Sequence, residues 1–273
     1  MNRNSIINSM IKLTNVSFKY DNGVHALNNI NLEINDGEFV YITGTTGSGK
    51  STLIKLLDTE IVPTKGTVMV NDINVGKLRR GKVPLYRRTI GVVFQDFRLL
   101  PKKTVFENIA FALEVVDTPK DKLRKRVREV LKLVGLREKY KSLPSQISGG
   151  QMQRTAIARA IANKPKVLIA DEPTGNLDPK TSEEIISLFE KINKEEGTTI
   201  IIVTHDAQVV RNHPKRTIKI DQGHIVSDKM NDTIDDIVKK QEHLDKTREL
   251  ELFKEEKKEE EQQALMFEKE ENV

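Results

Sequence analysis

A glycine-rich segment, GTTGSGKST, occupies residues 44–52 and limits the folds that are open to this chain. It follows Glu38–Thr43, a short apolar stretch that predicts a strand, and it precedes helical spacing from Ser51 to about Asp58. Such glycines let successive backbone N–H groups turn inward around phosphate oxygens, and the dipole of the following helix favours the same anion. A strand, this loop and a helix together indicate an α/β nucleotide-binding fold; an incidental glycine- and serine-rich turn is the alternative.

The loop predicts phosphate contacts for ATP. It fits the pattern G-x-x-x-x-G-K-[ST], in which Lys50 reaches the β- and γ-phosphates and the Ser51 hydroxyl binds Mg²⁺. ATP and Mg²⁺ are therefore the predicted cofactors. The predicted ATP-binding residues of the loop are Gly44, Thr45, Thr46, Gly47, Ser48, Gly49, Lys50, Ser51 and Thr52.

Composition excludes several other kinds of protein. The 273 residues include no cysteine, which rules out a disulfide scaffold, a cysteine nucleophile and a thiolate metal site. No stretch reaches the roughly 18 apolar residues that would span a bilayer, and the N-terminus has no apolar secretory segment. The sequence therefore predicts a soluble protein of the cytoplasm.

Charge is divided unevenly along the chain. The formal net charge is +5, but residues 231–273 hold 15 acidic and 8 basic residues, a net of −7, which leaves +12 on the rest. A basic body suggests anionic partners such as nucleotide phosphates, nucleic acid or a membrane surface; a merely soluble lysine-rich surface is the alternative. Residues 231–273 are predicted to be a charged extension, helical or partly disordered, because residues 254–263 include no apolar side chain to bury.

The N-terminal part predicts antiparallel strands. Residues 1–9 show no usable pattern and are predicted to be an extension or the result of a misassigned start. A strand with alternating apolar residues begins at Met10. Asn22-Gly23 is a hairpin signal, and Ile30–Ile34 alternates again.

Helical and strand patterns alternate in the remainder. A strand is predicted at Gly91–Gln95, and residues 96–163 have helical spacing with charged outer faces. Strands at Val167–Ala170 and Ile200–Val203 enclose a helical segment, Thr181–Asn193. This order predicts a parallel, doubly wound sheet.

Two acids end the apolar strand VLIADEP at residues 167–173. Asp171 stands at the end of the strand, where phosphate-loop enzymes place an aspartate that helps to hold Mg²⁺. Glu172 follows it and is predicted to polarise the attacking water as a general base. An isolated Asp-Glu pair is more often a solvated loop entrance, but the upstream phosphate loop favours the catalytic reading.

The segment ISGGQMQR, at residues 147–154, lies between the two sites. With the phosphate loop and the DEP sequence, it resembles the ATP-binding cassette (ABC) family, whose signature is LSGGQ. Ile147 replaces the leucine, which is a volume-conserving change. The resemblance covers about Ile11–Met230 and implies an ABC ATPase domain at residues 10–230. It also implies a RecA-like core, an antiparallel β subdomain and an α-helical signature subdomain at about 96–163.

The resemblance implies roles for individual side chains. Tyr20 stacks on adenine, Gln95 senses Mg²⁺ and the attacking water, and His205 contacts the γ-phosphate. Asp178, in GNLDP at residues 175–179, contacts a second subunit. The implied catalytic residues are Lys50, Gln95, Glu172 and His205, and the implied Mg²⁺ ligands are Ser51, Gln95 and Asp171.

The resemblance further implies a homodimer in the ATP-bound state. Two copies pair head to tail, so that each ATP lies between one phosphate loop and the signature of the other copy, whose glycines permit close backbone approach to phosphate. The implied signature residues are Ser148, Gly149, Gly150 and Gln151.

Residues 87–115 resemble the FtsE family of cell-division ATPases within the ABC proteins, above all in QDFRLLP at 95–101. That resemblance implies a polytopic FtsX-like membrane partner, a peripheral position on the cytoplasmic face of the membrane, and control of peptidoglycan hydrolases during cell division. The partner is expected in a cleft lined by Phe97, Leu99, Leu100 and the helix Val105–Leu113. The ATPase subunit of an exporter or of a lipoprotein-releasing transporter is the alternative.

Two other functional classes fit parts of the sequence. A DNA-associated ABC ATPase would suit the basic body, but such proteins carry coiled-coil or zinc inserts for which this chain has neither the length nor the cysteines. A catalytically inactive adaptor is disfavoured because Lys50, Asp171, Glu172 and His205 are all present. We therefore expect an active ATPase and no nucleic-acid partner.

Overall fold

The computed structural model describes residues 9–230. The expectations for residues 1–8 and for the charged extension at 231–273 lie outside this range. The first strand begins at Ser9, one residue before Met10, and the Ser9 hydroxyl donates to the carbonyl of Ile11 at 3.0 Å. Among the described residues, no helix is both long and apolar enough to cross a membrane.

The described residues form both strands and helices, beginning with a hairpin. The strands are β1 (Ser9–Lys19), β2 (His25–Asn35), β3 (Phe39–Thr43), β4 (Lys65–Val70), β5 (Ile73–Asn74), β6 (Ile90–Val93), β7 (Val167–Asp171), β8 (Thr199–Val203), β9 (Arg216–Asp221) and β10 (His224–Met230). The helices are α1 (Lys50–Leu57), α2 (Val83–Arg87), α3 (Val105–Glu114), α4 (Lys120–Leu133), α5 (Gly149–Ile161), α6 (Pro179–Glu196) and α7 (Ala207–Asn212).

Four strands form an antiparallel sheet in the order β2-β1-β4-β5. The β1–β2 hairpin turns at the predicted Asn22-Gly23, where Gly23 has a φ of 89° and its N–H donates to the Tyr20 carbonyl at 2.9 Å. Most of the apolar residues that alternate along β1 and β2, such as Ile11 and Ile30, are buried. This sheet therefore has one face in the core, as the alternation predicts.

The second sheet has the order β10-β9-β3-β8-β7-β6. Its neighbouring strands are parallel except for the edge strand β10, which is antiparallel to β9. Ile42 of β3 and Asp171 of β7 both pair with Val203 of β8, so the three strands end side by side. Ligands of α/β folds bind beyond the carboxyl ends of such strands, and this edge carries the phosphate loop and the two acids.

Helices α3, α4 and α5 pack on one another within residues 96–163, the span with predicted helical spacing. Arg126 of α4 points away from the charged outer face. Its Nε and Nη2 atoms donate to the carbonyls of Ala162 and Ile161 at 3.0 and 2.9 Å, and its Nη1 donates to Glu196 at 3.1 Å. These bonds tie α4 to the end of α5 and to α6. The apolar face of α4 buries Leu123, Val127, Val130 and Leu131.

Some boundaries differ from the sequence prediction. The strand expected at Gly91–Gln95 ends at Val93, the last residue that pairs with β7, so that Gln95 lies on a loop. Helix α6 is longer than the predicted Thr181–Asn193 because Asp178 caps its start and Gly197, with a φ of 66°, ends it. Helix α2 was not predicted, since five residues do not reveal a helical period.

Candidate active site

The phosphate loop connects β3 to α1. Gly44, Gly47 and Gly49 have φ values of 148°, 81° and 113°, a backbone region that only glycine adopts readily. The loop is closed by a hydrogen bond from the Ser48 N–H to the Thr45 carbonyl at 3.1 Å. The left-handed glycines thus produce the turn that the sequence pattern predicts, at the end of a parallel strand.

Lys50 lies at the centre of this loop and is buried. Its Nζ donates to the carbonyls of Gly44 and Thr45 at 2.7 and 2.9 Å. Burial lowers the pKa of the Lys50 ammonium, and the charges of Glu172 and Asp171 oppose that shift. The ammonium is therefore held inside the loop and faces the negative charge of the two acids.

Tyr20 lies beside the phosphate loop. Its Oη is 3.1 Å from Oγ1 of Thr52, and its ring meets the ring of Phe18 edge-on with centroids 4.9 Å apart. Tyr20 borders a cavity of about 450 Å³ that extends along the loop. The lining residues are Tyr20, Asn22, Val24, His25, Ala26, Gly47, Gly49, Lys50, Ser51, Thr52, Gln222 and Gly223. The lining residues from the two hairpin turns were not predicted as site residues, because the sequence of a turn does not show which other segment it contacts.

Asp171 ends β7 and Glu172 follows it, as predicted. Burial and the charge of Glu172 raise the pKa of Asp171, and the charges of Lys50 and Arg98 oppose that rise. The carboxylate of Glu172 lies 2.6 Å from Nδ1 of His205, with 68% of the histidine side chain exposed. The structure thus brings Glu172 and His205 together across the ends of β7 and β8.

Gln95 reaches the same place from the loop after β6. A Cβ built on Gly175 would lie 3.1 Å from the Gln95 amide nitrogen and 3.5 Å from the Glu172 carboxylate, so both side chains flank Gly175. The Asn176 side chain donates to the Gln95 carbonyl at 3.2 Å. Gln95 and Glu172 are therefore neighbours although 77 positions apart in the printed sequence.

The signature segment caps helix α5. Ser148 Oγ accepts from the Gln151 N–H at 3.3 Å, and the Gln151 side chain accepts from the Ser148 N–H at 3.1 Å, which is a capping box. Neither these residues nor Gly149 and Gly150 line the cavity beside the phosphate loop. Within one chain, the signature is thus a separate helix N-terminus, where backbone N–H groups favour an anion.

Asp178 also caps a helix, a role that the sequence did not suggest. Its carboxylate accepts from the Thr181 N–H at 3.0 Å and from the Thr181 hydroxyl at 2.5 Å. These hydrogen bonds lower the pKa of the Asp178 carboxyl. The pattern Asp-Pro before a helical segment is the signal that could have revealed the cap.

The donor set near the loop fits Mg²⁺. Ser51 is exposed, Gln95 is exposed and Asp171 is half-buried, and all three offer oxygen atoms. Among residues 9–230, no group of three or more His, Asp and Glu side chains could hold a metal by itself. Mg²⁺ at a phosphate site usually has only a few protein ligands, because water molecules and phosphate oxygens fill the rest of its coordination sphere.

Comparison with known proteins now identifies the family. Residues 27–175 match the model of the ABC transporter family. The chain belongs to this family. The cell division ATP-binding protein FtsE of Streptococcus pneumoniae serotype 2 is 52% identical over 220 residues, which are 81% of this chain and 95% of the relative. FtsE of Bacillus subtilis is 51% identical over 219 residues, 80% of this chain and 96% of the relative. The predicted similarity to FtsE is confirmed.

Solved structures of ABC cassettes have the same fold. The cassette MJ0796 has been solved as a dimer in a post-hydrolysis state bound to ADP and Pi. Its sequence is 40% identical to this chain, with a TM-score of 0.72, and the match covers 81% of this chain and 98% of MJ0796. CbiO1 of Clostridium perfringens is 32% identical, with a TM-score of 0.79. The match covers 85% of this chain and 92% of CbiO1. The predicted ABC cassette fold is confirmed, and the protein is an ATP-binding-cassette ATPase.

The close packing of Gly150 against Thr181 can be tested through stability. A Cβ at Gly150 would lie 2.5 Å from Cγ2 of Thr181, whose hydroxyl is held by Asp178. We expect Gly150→Ala to lower the free energy of unfolding by about 1–3 kcal/mol in urea titrations. Adding Thr181→Ser, which removes Cγ2 and keeps the hydroxyl, should restore most of that loss.

Gly149→Ala is the matched control for this experiment. Its Cβ would meet Leu177 at an ordinary distance of 3.5 Å, so that variant should be as stable as the wild type. If Gly150→Ala unfolds at the wild-type urea concentration, or if Thr181→Ser does not rescue it, the contact is looser than the structure indicates.

Proposed function

We propose that this chain is the ATPase subunit of an FtsEX-like membrane complex. ATP-driven dimerisation and hydrolysis change the conformation of a membrane partner that regulates peptidoglycan hydrolases during cell division. The catalytic part is carried by one observation, the 2.6 Å contact between Glu172 and His205 at the sheet edge that also bears the phosphate loop. The cell-division part is supported by similarity over 95% of the length of FtsE, whereas MetN of Helicobacter hepaticus, at 44% identity, is covered over only 62%.

Glu172 is the proposed general base. Its carboxylate takes a proton from water as the water oxygen attacks the γ-phosphorus, and the bond to the bridging oxygen breaks to leave ADP and phosphate. His205 orients this carboxylate through the Nδ1 contact. Because most of the His205 ring is exposed, a bound γ-phosphate can reach it.

Lys50 is proposed to bind the β- and γ-phosphates. It now donates to two neutral carbonyls, and anionic phosphate oxygens are stronger acceptors for an ammonium. Mg²⁺ supplies charge neutralisation at the phosphates when it is bound, with Ser51, Gln95 and Asp171 as its proposed protein ligands. Burial is the largest cause of the raised pKa of Asp171, and a cation beside the carboxylate would oppose that rise.

The signature is proposed to act in a homodimer. Ser148–Gln151 form an anion-binding helix start that lies apart from the nucleotide cavity of the same chain. A second copy in head-to-tail arrangement places this helix start on the γ-phosphate, and the MJ0796 cassette is dimeric. Asp178 then contributes to the interface while it caps α6. Tyr20, which borders the cavity beside the phosphate loop, is proposed to stack on adenine.

The membrane partner is proposed to dock in an apolar groove of about 410 Å³. Phe111 of helix α3 and Val115, directly after that helix, line this groove, and both are unusually exposed for their type, at 45% and 47%. Leu113, on the opposite side of α3, is buried in the core. The docked protein holds the ATPase on the cytoplasmic face of the membrane as a peripheral subunit.

This groove is a different surface from the cleft that the family resemblance implies. Phe97, Leu99 and Leu100 do not line it, and the backbone of Leu100 is held by the side chain of Asn108 through hydrogen bonds of 2.8 and 3.2 Å. The groove lies instead between α2, β6 and the ends of α3 and α5. Its lining residues are Pro84, Arg87, Arg88, Ile90, Gly91, Val92, Phe111, Ala112, Val115, Val116, Arg159, Ala160 and Asn163.

Two substitutions separate binding from hydrolysis. Glu172→Gln should lower kcat about 100-fold or more but keep ATP affinity, because the water loses its base while the phosphate contacts remain. The ATP-bound variant should sediment as a dimer in analytical ultracentrifugation. Lys50→Ala should instead raise the Kd for ATP about tenfold or more, since a charge-assisted phosphate contact is lost.

Glu195→Gln, a neutralised acid on the exposed side of α6, is the control and should leave both quantities unchanged. Near wild-type turnover in Glu172→Gln would remove Glu172 from its proposed role. Equal ATP affinity in Lys50→Ala would refute the assignment of the phosphate loop.

If the partner docks in the groove, substitutions there should prevent binding of the partner and leave ATP hydrolysis intact. Phe111→Asp and Val115→Asp should abolish co-purification of a co-expressed FtsX-like membrane protein, because a carboxylate at an apolar contact must be desolvated. Basal ATPase activity should persist. Val62→Asp is the control, since Val62 is 59% exposed but lies outside the groove. Retention of the partner by both groove variants would rule this surface out.

A further inference from the structure

The loop that carries Gln95 contains two strained residues in succession. Phe97 and Arg98 have φ values of 58° and 47°, in the left-handed region, and neither is glycine, asparagine or aspartate. Side chains other than those are disfavoured there, so contacts elsewhere in the protein must hold the conformation. The strain begins two positions after Gln95, the residue that flanks Gly175 together with Glu172.

Arg159 of helix α5 binds both strained residues. Its Nη1 donates to the carbonyl of Arg98 at 2.6 Å and its Nη2 donates to the carbonyl of Phe97 at 3.0 Å. A planar guanidinium presents two donors in a fixed fork, which suits two successive carbonyls that point the same way. Burial lowers the pKa of Arg159, and the charge of Arg98 lowers it further, but an arginine side chain stays charged in proteins.

The other contacts of this loop are formed by nearby residues. The N–H of Arg98 donates to the carbonyl of Asp96 at 2.6 Å, and its guanidinium donates to the Asp96 carboxylate at 3.2 Å. The guanidinium of Arg98 stacks over the ring of Phe94 with its carbon 3.6 Å from the centroid. Asn108 holds Leu100 by hydrogen bonds in both directions. Arg159 thus differs from these local contacts, because it binds the carbonyls of both strained residues from outside the loop, from the helix that begins at the signature.

We propose that Arg159 is a positioning residue, which keeps Phe97 and Arg98 left-handed so that Gln95 stays beside Glu172. This inference rests on the proposed role of Gln95 in Mg²⁺ and water binding. Arg159 itself touches neither substrate nor the reacting atoms. Its loss should therefore affect the step that needs Gln95 and spare the binding of ATP, which depends on Lys50 and Tyr20.

The first test is Arg159→Lys in the full chain. Lysine keeps the positive charge, but its ammonium is a compact point charge without the planar pair of donors by which Arg159 binds the two carbonyls. We expect kcat to fall about tenfold and the Mg²⁺ concentration for half-maximal activity to rise, while the KM for ATP stays close to that of the wild type. Thermal unfolding of each variant shows whether the fold is retained.

The second test asks whether backbone strain is the cause. Glycine adopts the left-handed region without cost, so Arg98→Gly added to Arg159→Lys should recover most of the lost kcat. Arg98→Ala removes the same side chain but keeps a Cβ, so the double variant with alanine should stay slow. Equal recovery by glycine and alanine would overturn the proposal, because the effect would then come from the Arg98 side chain.

Gln95→Ala distinguishes failure of this inference from failure of the proposed function. If Gln95→Ala hydrolyses ATP as the wild type does, Gln95 has no catalytic role and the proposed function is wrong at that residue. If Gln95→Ala is slow but Arg159→Lys has wild-type kcat and Mg²⁺ dependence, the role of Gln95 stands and the positioning role of Arg159 is refuted. Slow turnover in both, with rescue by glycine alone, is the expected result.

Discussion

The register of three parallel strands at Val203 holds the active site together. Ile42 of β3 and Asp171 of β7 both pair with this residue, and the N–H of Glu172 donates to its carbonyl at 2.9 Å. The phosphate loop, the two acids and His205 all follow directly from the ends of these strands. A slip of one residue would turn the buried side chains of a strand to the other face, so the packed core of the sheet maintains the geometry of the site.

The parts of the site that could be predicted from the sequence are short continuous segments with a chemistry of their own. Lys50 and its glycines occur in one loop, and Asp171 and Glu172 end an apolar strand, so a local pattern was sufficient. Gln95 and His205 had no such signal and were reached only through family resemblance. A single histidine after a strand is ordinary, and its meaning here depends on the 2.6 Å contact with Glu172.

Contacts between distant segments could not be predicted. Phe97 and Arg98 adopt a backbone conformation that their residue types disfavour, and the guanidinium that holds them comes from another helix. The groove shows the same limit, because it is lined jointly by β6, by Phe111 of α3 and by the end of α5, which are separate in the sequence. Helical spacing predicts that α3 has a buried face. It does not reveal whether other elements cover the opposite face or leave it exposed.

Helix α5 links the separate parts of the site. At its start, Gly150 packs against Thr181 of α6; one turn later, Gln153 donates to the carbonyl of Pro173, next to Glu172, at 2.8 Å. Further along, Arg159 holds the loop after Gln95 and also lines the groove. A hydrogen-bonded helix of 13 residues moves as a unit. In the proposed complex, we therefore expect a partner that shifts α5 from the groove to displace three parts together: the signature, the loop after Gln95 and the segment around Glu172. Such coupling runs through the helix itself and requires no additional chain of side-chain contacts.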